Sequence, residues 1–186
     1  MNRGSPGSLE QAVEAARPLV EHAQRILETH EDGDFLPTFF LFTAERGVDI
    51  IGIHYCSDDE KRRAATLMRA QAMLAVPLGL WGVMFISDSR LWDIDACAKE
   101  QGVSVELLAR RIKEDPEFIR RHIKQIDCLT ARLETYLGDW DVLIKYQRET
   151  DRVIWHPPQS MTARGCTSEG RMVGFLPPLP SHGVSA

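Results

Sequence analysis

The order of elements between residues 35 and 87 is the strongest constraint on this chain. Residues 35–42, FLPTFFLF, form a short apolar run rich in Phe. A short run of this kind suits a buried strand, with Pro37 near its start or at an edge position. Ala44, Glu45, Arg46 and Gly47 read as a turn, with Gly47 placed for a positive φ. VDIIGIHY at 48–55 completes a hairpin. Ser57 and Glu60 have capping-box spacing and open a helix over 58–75. Its inner side is read as Ala64, Leu67, Met68, Ala72 and Ala75, and its outer side as Lys61, Arg62, Arg63 and Arg69. Pro77 and Gly79 stop it. LWGVMFIS at 80–87 reads as a central strand buried on both faces.

A strand–helix–strand crossover is right-handed and makes its two strands parallel. Strands 48–55 and 80–87 then end at one sheet edge, and the hairpin brings the residues before the first strand to that edge. His30, Asp32, Asp34, His54, Cys56, Asp88 and Asp93 could converge there. Ligands in open α/β sheets prefer the carboxyl ends of parallel strands. Two chemistries suit these residues. Asp34, His54 and Asp88 could hold a divalent metal that activates water. Cys56 could instead act as a nucleophile, with His54 as base and Asp88 as orienter. His54 and Cys56 share a strand face. No catalytic motif fixes the geometry, and the plainer reading makes Asp88 a cap and His54 an ordinary strand histidine.

The flanking segments are helical in front and mixed behind. Residues 1–7 are rich in Gly, Ser and Pro and are expected to fray. Ser8 and Gln11 open a helix in which Leu9, Val13, Ala16, Val20, Ala23 and Leu27 form one apolar face. Pro18 should kink it or divide it. That face should pack on the sheet, or else serve a partner or a second copy of the chain. Residues 93–137 read as a helical insertion, broken at Gly102-Val103-Ser104 and again at Asp115-Pro116. Its last helix carries Phe118, Ile119, Ile123, Ile126, Leu129 and Leu133, and Gly138 ends it. VLIKYQ at 142–147 and RVIWHP at 152–157 read as a hairpin, 158–170 as a loop and RMVGFL at 171–176 as a final strand. The Pro-rich tail at 177–186 should be extended, as a strap over the chain's own core.

Within the insertion, residues 97–112, CAKEQGVSVELLARRI, resemble a helix-turn-helix. Ala98, Gly102, Val103 and Ser104 hold the turn positions, and Leu108 and Ile112 would be core. The resemblance implies a second helix that enters the major groove. Arg110, Arg111, Lys113, Arg120, Arg121 and Lys124 would supply nucleic-acid contacts across 97–124. Residues 104–133 hold seven Lys and Arg against five Asp and Glu, so the local charge is weak, and Glu106 would face phosphates badly.

Composition narrows the classes. The net charge of −5 does not steer the whole surface toward nucleic acid. Four cysteines without a C-x-x-C pair argue against a zinc ribbon and read as reduced thiols. No Walker A, dinucleotide or G-x-S-x-G motif occurs. No run approaches a membrane span, and MNRGSPGSLEQ has no apolar signal core. The expectation is one α+β domain over 1–186. It should hold a mixed sheet of five or six strands, covering helices and the inserted helical subdomain. The leading functional expectation is a non-catalytic cytoplasmic binding or regulatory protein that acts through protein contacts, with no cofactor. A nucleic-acid-binding regulator comes second and a metal-dependent hydrolase or nuclease third.

Overall fold

A computed structural model describes residues 4–29, 35–150, 152–163 and 174–178. The first helix, α1 (Leu9–Thr29), begins where Ser8 Oγ accepts the Gln11 amide and the Gln11 side chain accepts the Gly7 amide. It runs through Pro18 as one helix. An interior proline costs about 3 kcal/mol. Here the apolar face continues on both sides of it, with Ala12, Val13 and Ala16 before and Val20, Ala23 and Leu27 after, all buried in one core. That shared packing holds the helix together.

Strands β1 (Thr38–Thr43) and β2 (Gly47–Gly52) form the expected hairpin, and Gly47 has φ 85° in its turn. Phe40 and Phe42 of β1 face the core under α1, while Phe39 and Leu41 face the opposite side. This double burial explains the apolar run at 39–42. On that second side sits α2 (Asp58–Ala75), capped by Ser57, which buries Ala65, Met68, Ala72 and Ala75. Ala65, not Leu67, completes the inner stripe, and Leu67 points outward. Strand β3 (Leu80–Trp92) then passes through the centre of the sheet.

The fold is α+β, with strand order β2-β1-β3-β4-β5-β6 and a seventh strand, β7, also on β5. Every ladder is antiparallel, which corrects the expected mixed sheet. β2 and β3 do run in the same direction, as the crossover requires, but β1 lies between them and pairs antiparallel with both.

The helical insertion is shorter than expected. It comprises α3 (Ile94–Gln101), α4 (Val105–Glu114) and α5 (Pro116–His122), around Cys97, Ala98, Leu108 and Ile123. Gly102, at φ 65°, ends α3, and Ser104 and Asp115 cap the two helices that follow. Residues 125–135, expected to be helical, form strand β4 (Gln125–Thr135). Leu129, Ala131 and Leu133 alternate into the core under α1, and ladders to β3 and β5 (Gly138–Glu149) satisfy the backbone on both sides. Gly138 belongs to the β4–β5 turn, not to a helix end.

β5 and β6 (Arg152–Trp155) form the expected hairpin. The segment read as a loop contains β7 (Gln159–Ala163), which pairs with residues 139–143 of β5. Residues 174–178 form an irregular strap, with Phe175 buried beside Phe39 and the Tyr136 hydroxyl donating to the Pro177 carbonyl. The remainder of the expected final strand and tail lies outside the described residues. Among the described residues, no helix is long and apolar enough to cross a membrane.

Candidate functional site

Gly52 and Ile86 both pair with Thr38, so His54, past the end of β2, and Asp88, within β3, both lie beyond the Thr38 end of β1. The intervening β1 separates those strands by roughly 10 Å, twice the spacing of paired strands. His54 and Cys56 are exposed and adjacent, with Cys56 Sγ 3.8 Å from each ring nitrogen. Asp88 is occupied elsewhere, accepting the Tyr146 hydroxyl at 2.7 Å. Burial pushes the Asp88 carboxyl above the usual carboxylate range. Burial, followed by the Asp88 hydrogen bond, raises the Tyr146 phenol strongly. Asp34, Asp32 and His30 lie outside the described residues. Among the described residues, no three His, Cys, Asp or Glu side chains gather as a metal site.

Asp93 is also engaged. It caps α3 through the Ala96 amide and accepts Lys145 Nζ at 3.0 Å. Burial works against its charge, but the Lys145 and Ala96 hydrogen bonds outweigh it and hold the carboxyl below its ordinary range. Cys128 is fully buried, and desolvation, aided by Asp88 and Asp127, pushes its thiol up to about 11. It is a neutral thiol at physiological pH.

The helix-turn-helix resemblance has a local basis. The α3–α4 turn closes on the Ala98 carbonyl, which accepts the Val103 amide. Leu108 is buried and Ile112 packs against the same small core. Arg120 pairs with Glu117 and Arg121 with Asp115. Arg110, Arg111, Lys113 and Lys124 are exposed and make no ion pair among the described residues. The first turn of α4 exposes Val105 and Leu107.

Two features escaped sequence reasoning. The first is a groove of about 350 Å³ on the sheet face away from α1, lined by Phe85, Thr130, Arg132, Asp141, Leu143 and Ser160 among others. Register places Phe85, Arg132 and Asp141 in one cross-strand row, with Ser87, Thr130, Leu143 and Gln159 in the next. Arg132 is ringed by carboxylates: Glu134 at 3.2 Å, Asp139 at 2.9 Å and Asp141 at 2.9 Å. Glu134 also accepts the amides of Gly174, Phe175 and Leu176 and so pins the strap. The signal was present: charges at 132 and 134, then at 139 and 141, alternate about a short turn. It becomes readable once both segments are seen as strands.

The second feature is the outer side of α2. Leu67 is 56% exposed, Met73 64% and Leu74 71%, with Ala70 and Pro77 also exposed. At 3.6 residues per turn Leu67, Ala70, Met73 and Leu74 lie within about a third of the circumference of α2, opposite the buried stripe. α1 offers no such face. Its apolar stripe, read as a possible oligomer contact, is buried against the chain's own sheet. Comparison with protein-family models, curated proteins and solved structures gives no match for this chain.

Proposed function

We propose that this protein is a non-catalytic binding or regulatory module that acts through contacts with another protein. The observation that carries this reading is the apolar outer face of α2. Three large side chains are more than half exposed there, on a helix whose other side already serves the core. Contiguous exposed apolar surface on a folded chain marks interaction sites. The engagement of Asp88 by Tyr146 and of Asp93 by Lys145 also favours structural roles for those carboxylates. The free thiols Cys56, Cys97 and Cys128 favour a reducing compartment, and we place the protein in the cytoplasm. The test is capture from native lysate with and without nuclease, beside Leu67→Glu/Leu74→Glu. A stoichiometric protein band that survives nuclease and is lost in the variant is the expected result. Retention of that band by the variant sinks the reading.

A second reading is nucleic-acid binding through α3–α4, favoured by the Gly102 turn and the exposed Arg110, Arg111 and Lys113. It requires steeply salt-dependent binding of a duplex probe that Arg110→Glu/Arg111→Glu abolishes.

A further inference from the structure

We infer that β2 is the pairing edge of a symmetric homodimer, in which the β2 strands of two copies of this chain join antiparallel about a two-fold axis at Ile50. This surface is separate from the α2 face, and the inference stands or falls independently of the protein-binding reading.

The open backbone comes first. β2 ends the strand order, and among the described residues β1 is its only strand neighbour. Ile53 donates its amide to the Pro37 carbonyl at 2.8 Å, which fixes the phase of the ladder. Positions in an antiparallel pair alternate between those that exchange hydrogen bonds and those that do not. Asp49 and Ile51 therefore turn their backbone groups toward Leu41 and Phe39. Val48, Ile50 and Gly52 turn theirs outward, away from the sheet.

The side chains mark the same margin. Val48 and Ile50 stand opposite Phe42 and Phe40, on the sheet face that carries α1. α1 does not extend over them, and Val48 is 41% exposed and Ile50 65%. A Cβ placed on Gly52 would meet nothing within 4 Å, so the space beside it is open. Natural edge strands are commonly blunted by Lys, Pro or a bulge. β2 contains no Lys, Arg or Pro, and its ladder with β1 runs without a register shift. Its one charge is Asp49.

Register selects a second copy as the occupant. An antiparallel β2 pair centred on Ile50 sets Val48 opposite the partner's Gly52, Ile50 opposite the partner's Ile50, and Gly52 opposite the partner's Val48. All three outward residues are used, and each pair exchanges two hydrogen bonds. The two exposed Ile50 side chains meet, and Gly52 leaves room for Val48. Asp49 stands opposite the partner's Ile51. An axis at Asp49 would instead set two carboxylates directly opposite, which is destabilising. An axis at Ile51 would pair Val48 with residue 54, past the end of the strand. The contact is isologous and closes at two copies. A single strand pair buries less than the roughly 1,000 Å² of a stable interface, so the dimer is a reversible one.

The test is sedimentation of the full chain from about 1 to about 300 μM, where a reversible monomer–dimer equilibrium should appear. Ile50→Lys places two ammonium groups across the axis and should weaken the dimer roughly tenfold or more. Leu67→Glu/Leu74→Glu, on the α2 face, should leave it unchanged. Residue-resolved hydrogen exchange of the unaltered chain supplies a second readout that needs no variant. As concentration rises, the Val48, Ile50 and Gly52 amides should slow about tenfold, while Asp49 and Ile51, already bonded to β1, change far less. A chain that stays monomeric across the range overturns the inference. So does a dimer that survives Ile50→Lys, one that is lost in the α2 variant, or one whose formation slows exchange without that alternation.

Discussion

Glu134→Gln is the substitution whose consequence follows most directly from the structure. The Glu134 side chain is 5% exposed. One of its oxygens accepts the Gly174 amide at 2.7 Å and Arg132 Nε at 3.2 Å. The other accepts the Phe175 amide at 2.7 Å and the Leu176 amide at 3.2 Å. Glutamine keeps the shape but turns one oxygen into a donor. Whichever way it is oriented, two donors lose their acceptor and face an NH2 group. Hydrogen bonds to a charged partner contribute about 1.5–3 kcal/mol each, which gives an upper range of about 3–6 kcal/mol. Two features reduce that figure. Arg132 keeps Asp139 and Asp141, and the strap can leave the sheet and return its amides to water. The expected loss is about 2–4 kcal/mol in urea unfolding, with the Phe175 amide losing its protection from hydrogen exchange. A change below about 0.5 kcal/mol with Phe175 still protected would refute the role given to Glu134, because surface substitutions commonly fall in that range.

Asp88 carries a pH signature. Its folded carboxyl titrates above the ordinary value of 3.8, so the protonated form is the one the fold favours. Its contribution is fully present below 3.8 and declines as pH rises through the raised value. Asp88→Asn, which can still accept from Tyr146, should flatten that part of the stability profile, and an unchanged profile would count against the assignment. Asp93 has the opposite sign. Its lowered carboxyl stabilises the fold above 3.8, and that contribution is lost as pH falls. Asp93→Asn should therefore shrink the acid limb of the unfolding curve. For thiol chemistry at pH 8, peptide mapping after iodoacetamide should find exposed Cys56 labelled and buried Cys128 unlabelled until the chain unfolds. Leu108→Ala should cost about 2–5 kcal/mol, the usual range for a buried leucine. Hydrogen exchange should place that loss in α3–α5 and leave the β3–β5 amides protected.

Much of the fold was legible because local pattern and tertiary packing agreed. The Phe-rich run, the Gly47 turn, the Ser57 cap and the 80–87 run each carried a signal that the three-dimensional structure uses in the same way. Residues 123–135 were misread for a physical reason. Ile123, Ile126, Leu129 and Leu133 fall at helical spacing, but the alternation of Leu129, Ala131 and Leu133 fits a ladder between β3 and β5. Long-range pairing decided the outcome, and no local feature reports it. The same error hid the groove, whose charged wall exists only when Arg132 and Asp141 stand opposite one another. At the sheet edge, His54 and Cys56 lie side by side past the end of β2 and not on a strand face as expected, and no local pattern reports that Tyr146, 58 residues away, holds Asp88.

The central claim is that a protein partner covers the outer face of α2. The most direct measurement is hydroxyl-radical footprinting of the captured complex against the free chain, read by mass spectrometry at Met73 and Met68. Met73 is 64% exposed and Met68 is buried, so the second is an internal control. Met73 should oxidise readily in the free chain and be protected in the complex, while Met68 stays unreactive in both. Equal oxidation of Met73 in the free and bound states would contradict it.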